Sequence, residues 1–372
     1  MKNTVATFFL LMFGFFAGTA LTAAPILEKN RLPSTPVFLD LYVTALSVDK
    51  YGNITTSIRP DELKSFGYAL GDIVSISAGN YRAEAPIVNT YSDVDNGNAL
   101  VRLNEEAVAL AINHGNMSER TGIVEGTPIR ITMSEVGAYR AEFEIRHLVK
   151  SENRTDYASD AIFGNFRNVH SAGIAPNIVY RSSHPALGDA RAPFSAKLAE
   201  AAGINTIINL ADSDEELLNN AATSLWYQEM VDSGNVVNLN MGVDIKSPDF
   251  PGKLLKGLQF MAARPGPYLI HCNEGKDRAG ILSALLEALM GANIADIKAD
   301  YMLSFENYYG VQKNEARYDL ISHIIVDNLT LLNANIPVTD ANVQKAVEQY
   351  LQGAVGLSAA ELNALKAKLS KL

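Results

Sequence analysis

Cys272 is the one cysteine in the chain, and Arg278 follows it after five intervening residues. The stretch reads His271-Cys272-Asn273-Glu274-Gly275-Lys276-Asp277-Arg278-Ala279-Gly280. Before it lies the apolar run Tyr268-Leu269-Ile270, and after it an apolar segment continues to Met290. Strand, tight loop and helix are the predicted sequence of elements. Such a loop turns successive backbone N–H groups inward as an anion nest, and the helix N-terminus behind it adds free donors and a positive dipole end. Gly275 permits a backbone conformation that a side chain resists. Arg278 can grip two phosphate oxygens with its planar fork. The same positive field favours the thiolate of Cys272, an in-line nucleophile toward a bound phosphate monoester. The product is a phosphocysteine that water later opens. Cys272 and Arg278 are therefore the expected catalytic pair, with Asn273, Glu274, Gly275, Lys276, Ala279 and Gly280 forming the phosphate cradle. This chemistry requires no metal or other cofactor.

The leaving oxygen needs a proton, so a general acid is expected. Asp277 lies inside the loop. Asp244 follows the predicted strand Val236–Met241, 28 residues before Cys272. Asp249 is a third candidate. Asp212, after the run ending at Leu210, is placed to orient water or Arg278, or to form a turn.

The motif His271-Cys272-x-x-Gly275-Lys276-Asp277-Arg278-x-Gly280 resembles the signature loop of cysteine-dependent phosphatases. Its Gly-Lys-Asp-Arg form looks most like the bacterial tyrosine-phosphatase-like group of tyrosine, dual or lipid specificity. Asn165-Phe166-Arg167-Asn168-Val169, Val179-Tyr180-Arg181-Ser182-Ser183, Ile204 to Leu210 and Asp300-Tyr301-Met302-Leu303-Ser304 resemble the same group, so the likeness covers roughly residues 165–330. It implies a proton donor at Asp277, or at Asp244 as in many relatives, and a supporting His271 that tunes the thiolate. It also brings Lys276 near a second phosphate or an acidic substrate, which adds phosphoinositides and inositol phosphates to phosphotyrosine as substrates. Relatives usually carry Thr or Ser where this chain has Ala279, and losing that hydroxyl implies either slower turnover of the phosphocysteine or a less acidic thiol.

Elements must hold this loop. Residues 36–150 are β-rich: Val37–Val43, Ile73–Ile76 and Ile129–Ile131 alternate with turn signals such as Tyr51-Gly52-Asn53 and Asp95-Asn96-Gly97-Asn98. A small barrel or sandwich is expected there. Residues 151–165 are polar and read as a linker. From about 166, helical and strand patterns alternate: helix Ala190–Ala202, strand Ile204–Leu210, helix Ala222–Ser233, strand Val236–Met241, helix Pro251–Ala263, strand Tyr268–His271 and helix Asp277–Met290. That alternation predicts an α/β domain, a mostly parallel sheet flanked by helices, over residues 160–335. Further helices follow over Ile294–Phe305, Glu315–Asn333, Thr339–Leu351 and Ser358–Leu369, the last two in a C-terminal segment 336–372.

The chain has 372 residues, 48% apolar and 19% charged, enough to bury a core. A net charge of −10 disfavours nucleic acid or anionic lipid as a partner of the whole surface. One cysteine excludes intramolecular disulfides, zinc fingers and iron–sulfur clusters. Lys2, an apolar run from Val5 to Ala17 and small residues from Gly18 to Ala24 read as a secretory signal over residues 1–24, cleaved near its end. A periplasmic or secreted protein without stable membrane insertion is expected; an uncleaved anchor is the alternative.

Ser47-Val48-Asp49-Lys50-Tyr51-Gly52-Asn53-Ile54, Thr90-Tyr91-Ser92-Asp93-Val94 and Ala111-Ile112-Asn113-His114-Gly115-Asn116 resemble the C-terminal β-barrel of the S-adenosylmethionine hydroxide adenosyltransferases, over about 38–133. That family's catalytic domain has no counterpart here, and Glu105 and Glu106 stand where relatives carry small or basic ligand contacts. The expected function is thus an exported phosphomonoester hydrolase acting on phosphorylated protein, lipid or inositol phosphate. A sulfurtransferase, and a non-enzymatic adenosyl-ligand-binding protein with a degenerate phosphatase fold, are the alternatives from other classes.

Overall fold

The structure is a computed structural model that describes residues 38–370; the expected signal segment 1–24 lies outside them. In the front half, β1 (Leu41–Val48) shows why these residues make a barrel wall. Leu41, Val43 and Ala45 point inward while Tyr42, Thr44 and Leu46 face out, the period-two alternation of a half-buried strand. The turn after it is built by Asp49, whose carboxylate accepts from the Tyr51 and Asn53 N–H groups at 2.8 and 2.9 Å. Gly52 takes φ +84 there, a region a side chain resists. The chain continues through β2 (Ile54–Thr56), α1 (Pro60–Ser65), β3 (Ile73–Ala78), β4 (Tyr81–Val88), β5 (Ala99–Leu103), β6 (Val108–Ile112), α2 (Met117–Thr121) and β7 (Pro128–Glu135). The order β1-β2-β6-β5-β4-β3-β7 closes because β7 pairs with β1 as well as β3. The expected barrel is present, and closure leaves no free sheet edge.

Between the halves the chain is ordered. Helix α3 (Arg140–Arg146) packs on the second half, where Ile145 and Leu148 join its main core. Residues 151–165, expected to be a linker, instead form a 3₁₀ turn at Arg154–Asp156 and α4 (Asp160–Phe163). Their polar composition misled the reading because it serves one buried cation. Arg191 donates to the Ser151 and Phe163 carbonyls at 2.5 and 2.6 Å and to the Tyr157 hydroxyl at 3.1 Å. Phe163 itself is fully buried.

The second half holds a five-stranded sheet: β8 (Arg167–Asn168), β9 (Val179–Ser182), β10 (Thr206–Asn209), β11 (Val236–Asn238) and β12 (Tyr268–His271), ordered β11-β10-β12-β9-β8. All neighbours are parallel except β8 with β9, the mostly parallel sheet expected. Both faces are covered. Ile207, Leu269 and Tyr180 pack with α5 (Ala192–Ala201), α6 (Asp214–Ala221) and α7 (Leu225–Asp232). Ile208, Ile270 and Val179 face the larger core of α8 (Phe250–Ala263), α9 (Asp277–Leu289), α10 (Ile294–Tyr309), α11 (Ala316–Leu332), α12 (Val343–Gly353) and α13 (Ala359–Leu369). Helix α6 has no counterpart in the sequence reading; its surface is mostly polar, and only the Ser213–Glu216 capping box announced it. The last two helices belong to the same core as the sheet. Gln344 donates to the Leu289 carbonyl at 3.1 Å, so α12 meets the end of α9 remote from the cysteine loop.

Candidate active site

Strand β12 lies in the middle of the sheet, between β10 and β9. Its carboxyl end delivers Cys272, and α9 starts at Asp277, so the loop between them sits where parallel sheets place their ligands. The loop is held from behind by its carbonyls. Asn273 O accepts from the His184 N–H at 3.1 Å. Glu274 O accepts from the Tyr308 hydroxyl at 2.7 Å and from Asn165 Nδ2 at 3.1 Å. Gly275 O accepts from Arg181 Nη2 and Nε at 2.8 and 3.2 Å, and Lys276 O accepts from the same Nη2 at 2.8 Å. The N–H groups from Asn273 to Arg278 are left over: among the described residues none has an intramolecular acceptor. Backbone groups seldom stay unpaired. A loop with every carbonyl engaged and consecutive amides free is built to accept an anion.

Gly275 is obligatory in this arrangement. Its φ is +66, and a Cβ there would stand 2.1 Å from the Ser182 oxygen. Gly280, one turn into α9, lets Arg181 and Tyr301 approach; a Cβ would lie 2.9 Å from the Tyr301 ring. Cys272 is 3% exposed and Ala279 is fully buried. Arg278 is half-buried, and one of its nitrogens donates to the Met241 carbonyl at 3.0 Å, which orients the guanidinium while its other nitrogens stay free for oxygens.

Sequence reasoning assigned no role to the residues that make this loop rigid. Arg181 is fully buried, with Nη1 2.5 Å from Asp300 Oδ2. Arg167 Nε lies 3.0 Å from Asp300 Oδ1. Burial alone would raise the Asp300 carboxyl; Arg167 and Arg181 override it and hold it below the usual carboxylate range. Burial, reinforced by the neighbouring Arg181 charge, brings Arg167 down to about 10. Ser304 Oγ accepts from Arg167 at 3.1 Å and from Asn165 at 3.0 Å. These residues stood in the segments that carried the family likeness, but their mutual contacts span well over a hundred residues of chain.

His271 is fully buried and accepts a hydrogen bond. Asn209 Nδ2 donates to the Tyr227 hydroxyl at 3.0 Å, which leaves that hydroxyl to donate to His271 Nε2 at 2.9 Å. Burial, and then the nearby His184, hold His271 well below the ordinary imidazole value, so it is neutral. Asp212 neither orients Arg278 nor faces solvent. It accepts from His184 Nε2, Asn209 and Asn220 at 2.9, 2.8 and 3.1 Å. Those donors outweigh burial and bring its carboxyl to about 2.

The three general-acid candidates sit in different environments. Asp277 stands at the loop with Lys276 Nζ at 3.7 Å. Its side chain is 46% exposed, yet the protein mass crowded around it, helped by Glu274, raises its carboxyl above the ordinary value against Lys276, Arg181 and Arg278. Asp244 is exposed and caps the Lys246 N–H at 2.9 Å; the carbonyl of Met241, at the start of its loop, accepts from Arg278. Asp249 is ion-paired to Lys253 at 2.6 Å, and Lys253 and Ser247 lower its carboxyl, the wrong direction for an acid. Lys276 is not a solvated lysine. It is buried, 3.1 Å from Glu274 and 3.2 Å from the Tyr309 hydroxyl. Burial opposes its charge, but Asp277, Glu274 and Tyr309 raise it well above the ordinary value.

Residues 163–371, more than half of the chain, match the tyrosine phosphatase family. Residues 43–130 match the C-terminal domain of the SAM hydroxide adenosyltransferases. No curated protein matches the chain with significance. Among solved structures, an uncharacterized conserved protein from Thermotoga maritima is 27% identical, with TM-score 0.24, over 25% of this chain and 35% of that one. A conserved hypothetical protein from Thermus thermophilus is 25% identical, with TM-score 0.20, over 29% and 42%. The core catalytic domain of a PP-IP phosphatase from S. cerevisiae, in complex with citrate, is 22% identical, with TM-score 0.28, over 47% and 96%. The chain spans less than half the length of the two bacterial structures.

Proposed function

The chain belongs to the tyrosine phosphatase family, and on that footing we propose that it is a phosphomonoester hydrolase working through a phosphocysteine. One observation carries the reading: the N–H groups from Asn273 to Arg278 are free while the carbonyls behind them are engaged. A phosphate dianion seated among those amides has its equatorial oxygens stabilised by preorganised donors, with Arg278 supplying two more. Cys272 Sγ then forms the S–P bond as the ester P–O bond breaks, and the leaving oxygen takes the proton of Asp277. Water next attacks phosphorus, the S–P bond breaks, its proton returns to Asp277, and inorganic phosphate leaves. His271, held neutral by burial, contributes no charge to the site, so the positive field there comes from the loop amides, the start of α9 and Arg278.

Lys276 bears on the substrate class. Its charge is already shared between Glu274 and Asp277, which favours an ester bearing one phosphate, as in phosphotyrosine or dual-specificity protein substrates, over one needing a second phosphate contact. Export, read from residues 1–24, directs the activity to periplasmic or extracellular targets. Among the described residues no helix is long and apolar enough to cross a membrane.

The test is phosphate release from an aryl phosphate, phosphopeptides, phosphoinositides and inositol phosphates, with Cys272→Ser alongside. The wild type is expected to hydrolyse the aryl phosphate and the phosphopeptides and to be inhibited by vanadate, and Cys272→Ser to be inactive. Undiminished turnover by Cys272→Ser would refute the phosphocysteine.

A further inference from the structure

The phosphate loop receives a charge from outside the phosphatase match. Lys150 lies between the matched segments 43–130 and 163–371, yet its ammonium is hydrogen-bonded to Glu274 Oε1, two residues from the nucleophile. The other Glu274 oxygen lies 3.1 Å from Lys276. Each oxygen of this carboxylate therefore has its own lysine. Burial would raise the Glu274 carboxyl; Lys276 and Lys150 hold it below the ordinary range, so it is ionised.

An ionised carboxylate on the rim of an anion site repels the dianion the site is built for. Lys276 cannot cancel it alone, because Asp277 also draws on Lys276 from 3.7 Å. We infer that Lys150 is a positioning residue of the active site, which neutralises Glu274 and holds it off the phosphate path. This rests on the phosphatase reading above.

The surroundings suit a fixed cation. Lys150 sits 5.3 Å over the Tyr308 ring, and the hydroxyl of that same ring donates to the Glu274 carbonyl. Arg191 clamps the next residue, Ser151, and also lies 4.7 Å from the centre of the Tyr308 ring. Glu152, 3.5 Å from Lys150, is the only other carboxylate paired with it among the described residues, and it is mostly exposed while Lys150 is 24% exposed. On the other side, α3 ties the connector to the domain core through Ile145 and Leu148. The segment joining the halves is therefore part of the active site's electrostatics.

The test uses the full chain with Lys150→Met, Lys150→Arg, Glu274→Gln and the double variant Lys150→Met/Glu274→Gln. Lys150→Met is expected to raise KM for an aryl phosphate and the vanadate inhibition constant about tenfold, the scale of one uncompensated charge in a partly solvated site. Its kcat should change far less. Lys150→Arg should restore wild-type KM, and in the Glu274→Gln background Lys150→Met should add no further penalty. An unchanged KM in Lys150→Met, or an equal penalty in both backgrounds, overturns the inference. If Lys150→Met melts before assay, the pair Glu274→Gln and the double variant decides: the inference requires the double variant to keep the KM of Glu274→Gln. A wild type that neither turns over nor binds vanadate overturns the phosphatase reading itself, and this inference with it.

Discussion

Arg181 and Gly275 are locked together at the back of the phosphate loop: the guanidinium donates twice to the Gly275 carbonyl, at 2.8 and 3.2 Å. The glycine reaches that position by taking φ +66 directly against the Ser182 backbone. Gly275→Ala should therefore do two kinds of damage. The left-handed backbone conformation costs a non-glycine residue about 1–2 kcal/mol, and the new methyl must push β9 or the loop aside. A lower melting temperature and a loss of aryl phosphate turnover of at least about a hundredfold are expected, since a misplaced amide nest costs that scale. Wild-type turnover in Gly275→Ala would show that the loop does not need this geometry.

Asp300 carries the two buried arginines that support the loop. Asp300→Asn leaves Arg167 and Arg181 facing each other without a carboxylate, and breaking one side of a buried ion pair costs about 3–5 kcal/mol. Urea unfolding should report a loss on that scale. Activity should fall as well, because Arg181 holds the Gly275 and Lys276 carbonyls. Ser304→Ala, which removes one neutral acceptor from the same cluster, should cost only about 1 kcal/mol.

What the sequence disclosed follows from how its information is spread. The span from Cys272 to Arg278 is contiguous, so Cys272, Arg278 and the glycine of the amide nest are legible in one reading. A small barrel or sandwich was legible through short apolar runs such as Val37–Val43 and Ile73–Ile76 separated by turn signals such as Tyr51-Gly52-Asn53. Arg181, Asn165 and Tyr308 meet the loop from positions about 30 to 110 residues away, and Asp300 acts on it through Arg181; no local pattern marks such pairings. Residues 151–165 failed for a related reason. Polarity there reads as solvation, but those carbonyls and hydroxyls satisfy the buried Arg191. Lys276 likewise reads as a free cation until Glu274, Asp277 and Tyr309 are seen around it.

Asp212 makes stability depend on acid. Its carboxyl is at about 2 in the folded protein against an ordinary 3.8, so the folded state binds this proton less readily than the unfolded chain does. The stabilisation is complete above the ordinary value and disappears as pH falls toward the folded one. It amounts to about 2 kcal/mol. Asp212→Asn should remove it. The wild-type and variant unfolding curves should differ most near neutrality and converge between about pH 4 and pH 2. Parallel curves across that window would mean that His184, Asn209 and Asn220 do not hold an ionised carboxylate.

The proton donor is decided by comparing Asp277→Asn with Asp244→Asn. A general acid works in its protonated form, and the raised carboxyl of Asp277 keeps that form to higher pH than an ordinary aspartate does. Turnover should decline as pH rises through that raised value, and Asp277→Asn should abolish the decline. It should also lower kcat by about a hundredfold or more. The loss should be larger for an alkyl phosphate than for p-nitrophenyl phosphate, whose leaving oxygen needs little protonation. Asp244→Asn, which removes only the turn bond to the Lys246 N–H, should stay within about threefold of wild type. Stability supplies an independent reading. Because the folded value is raised, Asp277 destabilises the folded state increasingly as pH climbs above the ordinary 3.8. Asp277→Asn should therefore be the more stable protein at neutral pH and equal to wild type in strong acid. If Asp244→Asn takes the large, leaving-group-dependent loss instead, the loop after β11 must close over the substrate, and Asp277 is left as a helix N-terminal carboxylate favoured by the dipole.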